Sequence, residues 1–172
     1  MKSCLIIFST TDGHTKKICE RIFNILSDSH KIKILNLSGA YFENLSSYNI
    51  IIVGASIRYG KHKKELYEFI RRNRRNLEKT ETCFFSVNAV ARKFEKNSPS
   101  TNPYMKKFLD LSGWKPDKLG VFAGKIDYLK YGFFDRQIIR LIMFITKGPT
   151  DTSQTYEFTD WEKVEEFSRQ LF

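Results

Sequence analysis

The sequence predicts an α/β protein built on a parallel sheet with helices on both faces. Three observations favour this class: a length of 172 residues, typical of one domain; 41% hydrophobic against 28% charged residues; and short apolar runs that alternate with amphipathic segments. Strands that alternate with helices imply right-handed crossovers, which make the strands parallel. The composition excludes a disordered tail and a disulfide scaffold.

The first strand is predicted at residues 5–8, a short apolar run that ends in Ser-Thr-Thr-Asp-Gly. Such a continuous run is typical of a strand that is buried on both faces of a sheet. A helix is expected from residue 15 to about residue 29, because apolar residues recur there at helical spacing. These residues are Ile18, Ile22, Ile25 and Leu26.

The same alternation continues along the chain. Further strands are predicted at residues 32–37, 50–56, 83–87 and 119–124, and helices at residues 63–78, about 102–111 and 161–171. Asp160 is expected to cap the last helix. Residues 1–172 are expected to form a single domain, with an irregular insertion at about 125–159 that is too long for an ordinary connection.

The loop after the first strand is the first candidate ligand site, since ligands of open parallel sheets bind at the carboxyl ends of the strands. Its hydroxyls, its glycine and the following helix N-terminus can hold a phosphate without a lysine, although the same residue types also suit an ordinary helix cap. The pattern is neither a nucleotide P-loop nor a dinucleotide fingerprint, and it suits a phosphomonoester such as flavin mononucleotide (FMN). The candidates are Ser9, Thr10, Thr11, Asp12, Gly13, His14 and Thr15.

Two more loops are predicted at the same edge of the sheet. After the third strand, small residues allow a flat ring to approach, Tyr59 can stack on it and Arg58 can pair with a carboxylate. After the fourth strand, Asn88 and backbone amides can bind the polar edge of the ring. Each loop is also consistent with an ordinary connection that binds no ligand. The candidates are Ser56, Ile57, Arg58, Tyr59 and Gly60, then Ser86, Val87, Asn88, Ala89, Val90, Ala91 and Arg92.

Seven motifs, spread over almost the whole chain, resemble one known family. They are Phe8-Ser9-Thr10-x-Asp12-Gly13-x-Thr15, Gly54-Ala55-Ser56-Ile57-Arg58-Tyr59-Gly60, Ser86-Val87-Asn88-x-Val90-Ala91-Arg92-Lys93, Tyr131-x-x-x-Asp135-Arg136, Leu141-Ile142-Met143, Thr150-Asp151-Thr152 and Tyr156-x-x-Thr159-Asp160-Trp161. The first motif is shared widely among flavodoxin relatives, and the second and third are more specific. Together they resemble the flavodoxin-like, quinone-dependent protoporphyrinogen oxidases of bacterial haem synthesis.

The resemblance implies a flavodoxin-like three-layer fold, with a five-stranded parallel sheet of order 2-1-3-4-5 and a long insertion near strand five. It implies FMN as the cofactor, with residues 9–15 at the phosphate, residues 56–60 on one side of the flavin and residues 86–92 at its other edge. The implied reaction is the oxidation of protoporphyrinogen IX to protoporphyrin IX. The electrons would pass to a membrane quinone, menaquinone or ubiquinone.

A porphyrinogen is an apolar macrocycle with two propionates, so cationic side chains are expected around it. The candidates are Arg58, Arg92, Lys93, Lys130 and Arg136. No general base is assigned, because no histidine has a paired carboxylate at a telling spacing. No metal site is expected either, since the spacing of the three cysteines fits no zinc motif.

The charge balance, 29 Lys and Arg against 19 Asp and Glu, predicts an anionic partner. Residues 58–79 alone contain nine basic and three acidic residues. On a helical wheel Phe134, Ile138, Leu141, Ile142 and Ile145 share one face, with Arg136 and Arg140 opposite. Such a helix either lies in a membrane interface or packs its apolar face on the domain. With neither a signal peptide nor a spanning segment in the sequence, peripheral binding at the cytoplasmic face of the inner membrane is expected.

Other functions remain open on the sequence. One is a flavodoxin-type electron carrier or FMN-dependent quinone reductase without porphyrinogen activity, although such carriers are usually acidic. A nucleic-acid-binding module would explain the net charge of +10, but the sequence has no helix-turn-helix, zinc or RNA-recognition motif. We therefore expect no nucleic-acid partner. The oligomeric state is not predicted.

Overall fold

The computed structural model describes residues 1–172 and confirms the predicted fold class. Five parallel strands form one sheet in the order β2-β1-β3-β4-β5, and a separate two-stranded sheet pairs β6 with β7. The strands are β1 (Ser3–Ser9), β2 (Lys31–Asn36), β3 (Ile50–Ser56), β4 (Glu81–Asn88), β5 (Lys118–Ala123), β6 (Lys125–Asp127) and β7 (Thr155–Glu157). The helices are α1 (His14–Leu26), α2 (Leu37–Ala40), α3 (Lys64–Leu77), α4 (Pro103–Ser112), α5 (Phe133–Ile145) and α6 (Trp161–Arg169).

The alternation of side chains along each strand builds two cores, one on each face of the sheet. Leu5 and Ile7 point to the face that α3 and α4 cover, where Phe84 of β4 stacks on Phe108 of α4 with ring centroids 3.8 Å apart. Ile6 belongs to the opposite core, which α1 and α6 cover. Because both faces are covered, the strands are apolar throughout, as the sequence predicted.

The strand order reverses between β1 and β3, which are parallel neighbours with Ile6 opposite Ile52. The connection from β1 leads to β2 on one side of β1, whereas β3 lies on the other side. The two loops that leave β1 and β3 therefore diverge and open a crevice between them, as in other doubly wound sheets.

The predicted element boundaries hold to within about three residues. The second strand ends at Asn36, because this side chain accepts a hydrogen bond of 2.7 Å from the Gly39 amide and starts the short helix α2, which was not predicted. The predicted cap of α6 is confirmed: Asp160 accepts a hydrogen bond of 3.0 Å from the Lys163 amide.

Contrary to expectation, the segment at 125–159 is not irregular, and the amphipathic helix indicated within it is present. Strands β6 and β7 pair antiparallel, with Ile126 opposite Tyr156, and α5 lies between them. The helix packs through Ile139 and Met143, which join Ile126, Tyr128 and Tyr131 in a small third core. The helical wheel indicated the helix but not this buried face, which the spacing of four residues between Ile139 and Met143 could have revealed.

Helix α5 buries the side that carries Ile139 and Met143, and its broader apolar stripe faces away from the core. Phe134, Leu141 and Ile145 are 79%, 58% and 69% exposed, so most of the stripe is not packed on the domain, whereas Ile142 of the same stripe is half-buried. Arg136, which the helical wheel placed opposite the apolar stripe, donates hydrogen bonds of 3.1 Å to the backbone oxygens of Tyr128 and Tyr131. None of the helices combines the length and hydropathy needed to cross a bilayer.

Candidate active site

A cavity of about 830 Å³, including its open mouth, lies at the carboxyl ends of β1, β3 and β4. It brings the three predicted loops together. Its lining includes Thr10, Thr11, Asp12, His14 and Thr15 from the first loop, Ser56, Ile57, Arg58, Tyr59 and Gly60 from the second, and Val87, Asn88, Ala89 and Val90 from the third. The other predicted cofactor residues, Ser9, Gly13, Ser86, Ala91 and Arg92, do not line it.

The insertion and α4 contribute the rest of the lining, which the sequence reasoning did not assign. Helix α5 covers the cavity with residues three and four positions apart, Ile139, Ile142, Met143 and Thr146. This helical spacing is the signal that could have identified them from the sequence. The additional lining residues are Tyr104, Gly124, Lys125, Ile126, Tyr131, Ile139, Ile142, Met143 and Thr146.

The loop before α1 has an unsatisfied hydroxyl. Gly13 adopts φ +83° directly before the helix, and its amide donates to Thr10 Oγ1 at 3.0 Å. Thr15 Oγ1, by contrast, is fully buried and has no hydrogen-bond partner. A buried hydroxyl without a partner is costly, and here it lies in the first turn of a helix whose amide groups favour anions. These residues fit the phosphate of FMN.

His14 connects this loop to Thr159, in the segment just before α6. Thr159 donates its hydroxyl proton to the Ala123 oxygen, so His14 Nε2 donates to Thr159 Oγ1 at 2.6 Å. Burial lowers the pKa of His14, and the nearby Lys17 and Lys125 lower it further against the opposing charge of Glu157. His14 is therefore a neutral positioning residue, with Nδ1 left as a buried acceptor.

Arg58 links the phosphate loop to α5. Its guanidinium lies 2.7 Å from Asp12 Oδ2 and 3.3 Å from Asp135 Oδ2, and it stacks over the ring of Tyr131 at 4.8 Å. The hydroxyl of Tyr59 also donates to Asp135. Arg58 already has two carboxylate partners, so a substrate carboxylate would compete with them.

Tyr59 lies at the tip of a two-residue turn. Arg58 and Lys61 exchange backbone hydrogen bonds of 3.0 and 3.2 Å, and φ is positive at both Tyr59 (51°) and Gly60 (74°). Positive φ is unfavourable for a tyrosine, and such strained positions cluster at functional sites. The turn holds the aromatic ring at the rim of the cavity, where it can stack on a planar ligand.

Arg92 and Asn88 make internal hydrogen bonds. Arg92 donates to the backbone oxygens of Ala89 and Thr146, both at 2.7 Å, and so holds the C-terminal end of α5. The side-chain oxygen of Asn88 accepts from the Ala91 amide at 3.1 Å, which shapes the loop after β4. The polar edge of a ring in the cavity would therefore meet mainly backbone groups of this loop.

Of the five candidate substrate residues, only Arg58 lines the cavity. Arg136 and Arg92 hold backbone carbonyls, as described above. Lys130 is 72% exposed and lies 3.7 Å from Asp127, outside the cavity. Lys93 is half-buried and lies outside the lining as well.

Sequence comparison identifies close relatives. Residues 5–153 match the flavodoxin domain. A protoporphyrinogen IX dehydrogenase [quinone] from Leishmania major is 40% identical over 167 residues, covering 96% of this chain and 72% of that protein. A protein of the same name from Escherichia coli is 39% identical over 168 residues, covering 97% and 93% of the two chains.

Solved structures agree on the fold. Oxidised Flavodoxin 1 from Bacillus cereus matches with a TM-score of 0.52 and 13% identity, covering 98% of this chain and 96% of that one. A short-chain flavodoxin associated with a bacterial microcompartment matches with a TM-score of 0.54 and 13% identity, covering 99% and 97%. FMN, the predicted cofactor, is the cofactor of flavodoxin domains. The chain belongs to the flavodoxin domain family and, within it, to the quinone-dependent protoporphyrinogen IX dehydrogenases.

Proposed function

We propose that this protein is an FMN-dependent oxidoreductase that converts protoporphyrinogen IX to protoporphyrin IX and passes the electrons to a membrane quinone. One observation carries the proposal: two relatives whose names state this activity are 39–40% identical over at least 96% of the chain. The cavity at the sheet edge supports it, because three loops of the chain meet there around a buried, unpartnered hydroxyl.

The first loop binds the phosphate of FMN through Thr15 Oγ1 and the amide groups at the start of α1. The loop of Tyr59 and residues 87–90 hold the two sides of the ring system. Bound FMN supplies reversible two-electron chemistry, which the side chains of this protein lack. The fold supplies orientation and a binding cavity.

Helix α5 excludes water from the cavity. Ile139 and Met143 are 6% and 1% exposed, and Ile142 completes an apolar roof. Asp135, in the first turn of the same helix, accepts hydrogen bonds from the guanidinium of Arg58 and the hydroxyl of Tyr59. This group keeps the charge of Arg58 fixed at the rim, and the roof keeps the ring system of the flavin away from bulk water.

The outer face of α5 binds the membrane surface. Phe133, Leu141 and Phe144 are 70%, 58% and 73% exposed, and Arg140 and Lys147 are exposed and form no ion pair. An amphipathic helix with flanking cations fits an interface of anionic lipids. The protein is therefore peripheral at the cytoplasmic face of the inner membrane, next to its menaquinone or ubiquinone acceptor.

Anaerobic oxidation of protoporphyrinogen IX by the purified flavoprotein, followed by the fluorescence of protoporphyrin IX, tests this function. We expect product to form only when a quinone is present. A flavoprotein that exchanges electrons with quinones but leaves the porphyrinogen unchanged would instead be an electron carrier or a quinone reductase. Removal of FMN is the matched control, because the apoprotein should form no product.

A further inference from the structure

A second, wider cleft lies beside the cavity, on the other side of the Tyr59 turn. Its volume is about 1280 Å³, much of it open to solvent, and we call it the basic cleft. Thr11, Arg58 and Tyr59 line both the basic cleft and the cavity, so the two are adjacent. A molecule in the basic cleft would contact the rim of the cofactor cavity.

The basic cleft is strongly cationic. Five of its lining residues are basic, Arg58, Lys61, Lys63, Lys64 and Lys107, whereas Asp135 is the only acidic one. Asp135 already accepts hydrogen bonds from Arg58 and Tyr59. The positive charge of the cleft is therefore not neutralised from within.

Two of these cations, Lys61 and Lys107, have no partner in the protein. By contrast, Lys63 donates to the Thr10 oxygen at 2.8 Å, and Lys64 lies 3.6 Å from Glu68. Lys61 and Lys107 are exposed and form neither a hydrogen bond nor an ion pair through their ammonium groups. They come from separate elements, the Tyr59 turn and α4, and are free to bind an anionic ligand between them.

The cleft also has apolar surface for a flat ligand. Tyr59 and Leu111 are 42% and 63% exposed, and Tyr67 is half-buried against Phe108 with ring centroids 5.8 Å apart. A ligand that combines an apolar ring with carboxylates matches both features.

We propose that the basic cleft binds the porphyrinogen, with Lys61 and Lys107 pairing with its propionates and Tyr59 and Tyr67 packing on the macrocycle. This inference rests on the proposed function and names the substrate site within it. It replaces most of the substrate residues expected from the sequence, since Arg92 and Arg136 hold backbone carbonyls.

The test compares the Lys61→Ala/Lys107→Ala double variant with Lys106→Ala, all as FMN-loaded proteins. Lys106 is exposed on the same helix as Lys107 but does not line the cleft. Two readouts are needed: the KM for protoporphyrinogen IX with quinone, and the Kd for protoporphyrin IX from the change in its absorbance. Protoporphyrin IX dimethyl ester serves as the uncharged ligand.

We expect both constants to rise about tenfold in the double variant, because two exposed charge pairs are lost, and to stay unchanged in Lys106→Ala. The ester should bind the double variant and the parent protein equally. Equal effects of both variants, or unchanged constants in the double variant, would overturn the inference while leaving the function intact. So would a double variant that loses only its binding to anionic vesicles, since the cleft would then take lipid headgroups. A parent protein that neither binds the porphyrin nor oxidises the porphyrinogen would refute the function itself.

Discussion

Arg58 and Asp135 join the loop after β3 to the first turn of α5 through a hydrogen bond of 3.3 Å between Nη2 and Oδ2. At the other end of the helix, Arg92 donates to the Thr146 oxygen at 2.7 Å. Both arginines come from loops that form the cavity. Helix α5 is thus tied at both ends to the site that it covers.

The Arg92→Met variant removes the tie at the C-terminal end of α5. Two carbonyl oxygens lose a charged donor, so the free energy of unfolding should fall by about 1–3 kcal/mol, measured by urea denaturation. Amide hydrogen exchange in α5 should become faster. The control is Arg169→Met, which removes an exposed pair with Glu165 and should cost less than about 1 kcal/mol. Similar losses in the two variants would contradict the role of Arg92.

The Thr15→Val variant tests the phosphate loop. It removes a buried hydroxyl without a partner, so the apoprotein should be at least as stable as the parent, while the affinity for FMN falls roughly tenfold or more. Fluorescence titration of the apoprotein with FMN measures this. Thr82→Val is the matched control: Thr82 Oγ1 donates to Asp117 at 3.2 Å, so this variant should lose stability and keep its FMN affinity. Unchanged FMN binding in Thr15→Val would exclude the hydroxyl from the site.

The Gly54→Ala variant tests the packing beneath the second loop. A Cβ at Gly54 would lie 2.1 Å from Phe85 Cζ, so the variant should lose about 3 kcal/mol of unfolding free energy through overpacking. Gly132→Ala is the control, because a Cβ there meets nothing within 4 Å, and it should cost at most about 1 kcal/mol. Adding Phe85→Leu should recover part of the loss at Gly54. No recovery would mean that Phe85 is not the clashing group.

His62 predicts a dependence of stability on pH. Burial lowers the pKa of His62 from 6.5 to about 4, although the Ser56 carbonyl partly opposes this. Between these values the unfolded chain binds a proton that the folded protein does not. The free energy of unfolding therefore falls as the pH drops from 6.5 to 4, by about 3 kcal/mol in total.

Urea denaturation of the parent protein and of His62→Gln across this range isolates the contribution of His62. The difference between the two curves should favour the parent most above pH 6.5 and shrink towards pH 4. Parallel curves would show that His62 has the same pKa in the folded and unfolded states.

Membrane binding can be tested on the outer face of α5. The Leu141→Ser/Phe144→Ser variant removes two side chains that are 58% and 73% exposed, so binding to anionic vesicles in sedimentation should fall at least about tenfold. Its fold should be retained, because neither side chain packs in the core. Phe42→Ser, at a position 93% exposed outside α5, is the control and should bind as the parent does. Vesicle binding that depends equally on both sites would rule out a specific role for α5.

Much of the fold was predictable because its signals are local. The run at residues 50–56 is apolar throughout, and a strand buried on both faces needs nothing else to be recognised. The order of the strands followed from the family resemblance. The loops at the sheet edge were also predictable, since the topology alone gathers the segments that follow β1 and β3.

The insertion was not predictable in the same way, because its structure depends on distant partners. Arg136 has the same charge as Arg140, but the carbonyls of Tyr128 and Tyr131 hold it half-buried while Arg140 is exposed. The free lysines of the basic cleft come from parts of the chain more than forty residues apart, Lys61 and Lys107. Their proximity is a property of the tertiary fold and has no periodic signal in the sequence.

Helix α5 roofs the cavity with Ile139 and Met143 and turns Leu141 and Phe144 outward. A ligand that binds one face of α5 and favours its packed position should also favour the contacts of the other face. Such coupling between two binding sites is reciprocal. If the outer face binds a bilayer as proposed, that binding should strengthen the retention of FMN, and bound FMN should strengthen binding to the bilayer by the same factor. FMN binding and membrane binding would then be coupled through the position of α5. The apoprotein should therefore dissociate from the membrane more readily than the holoprotein.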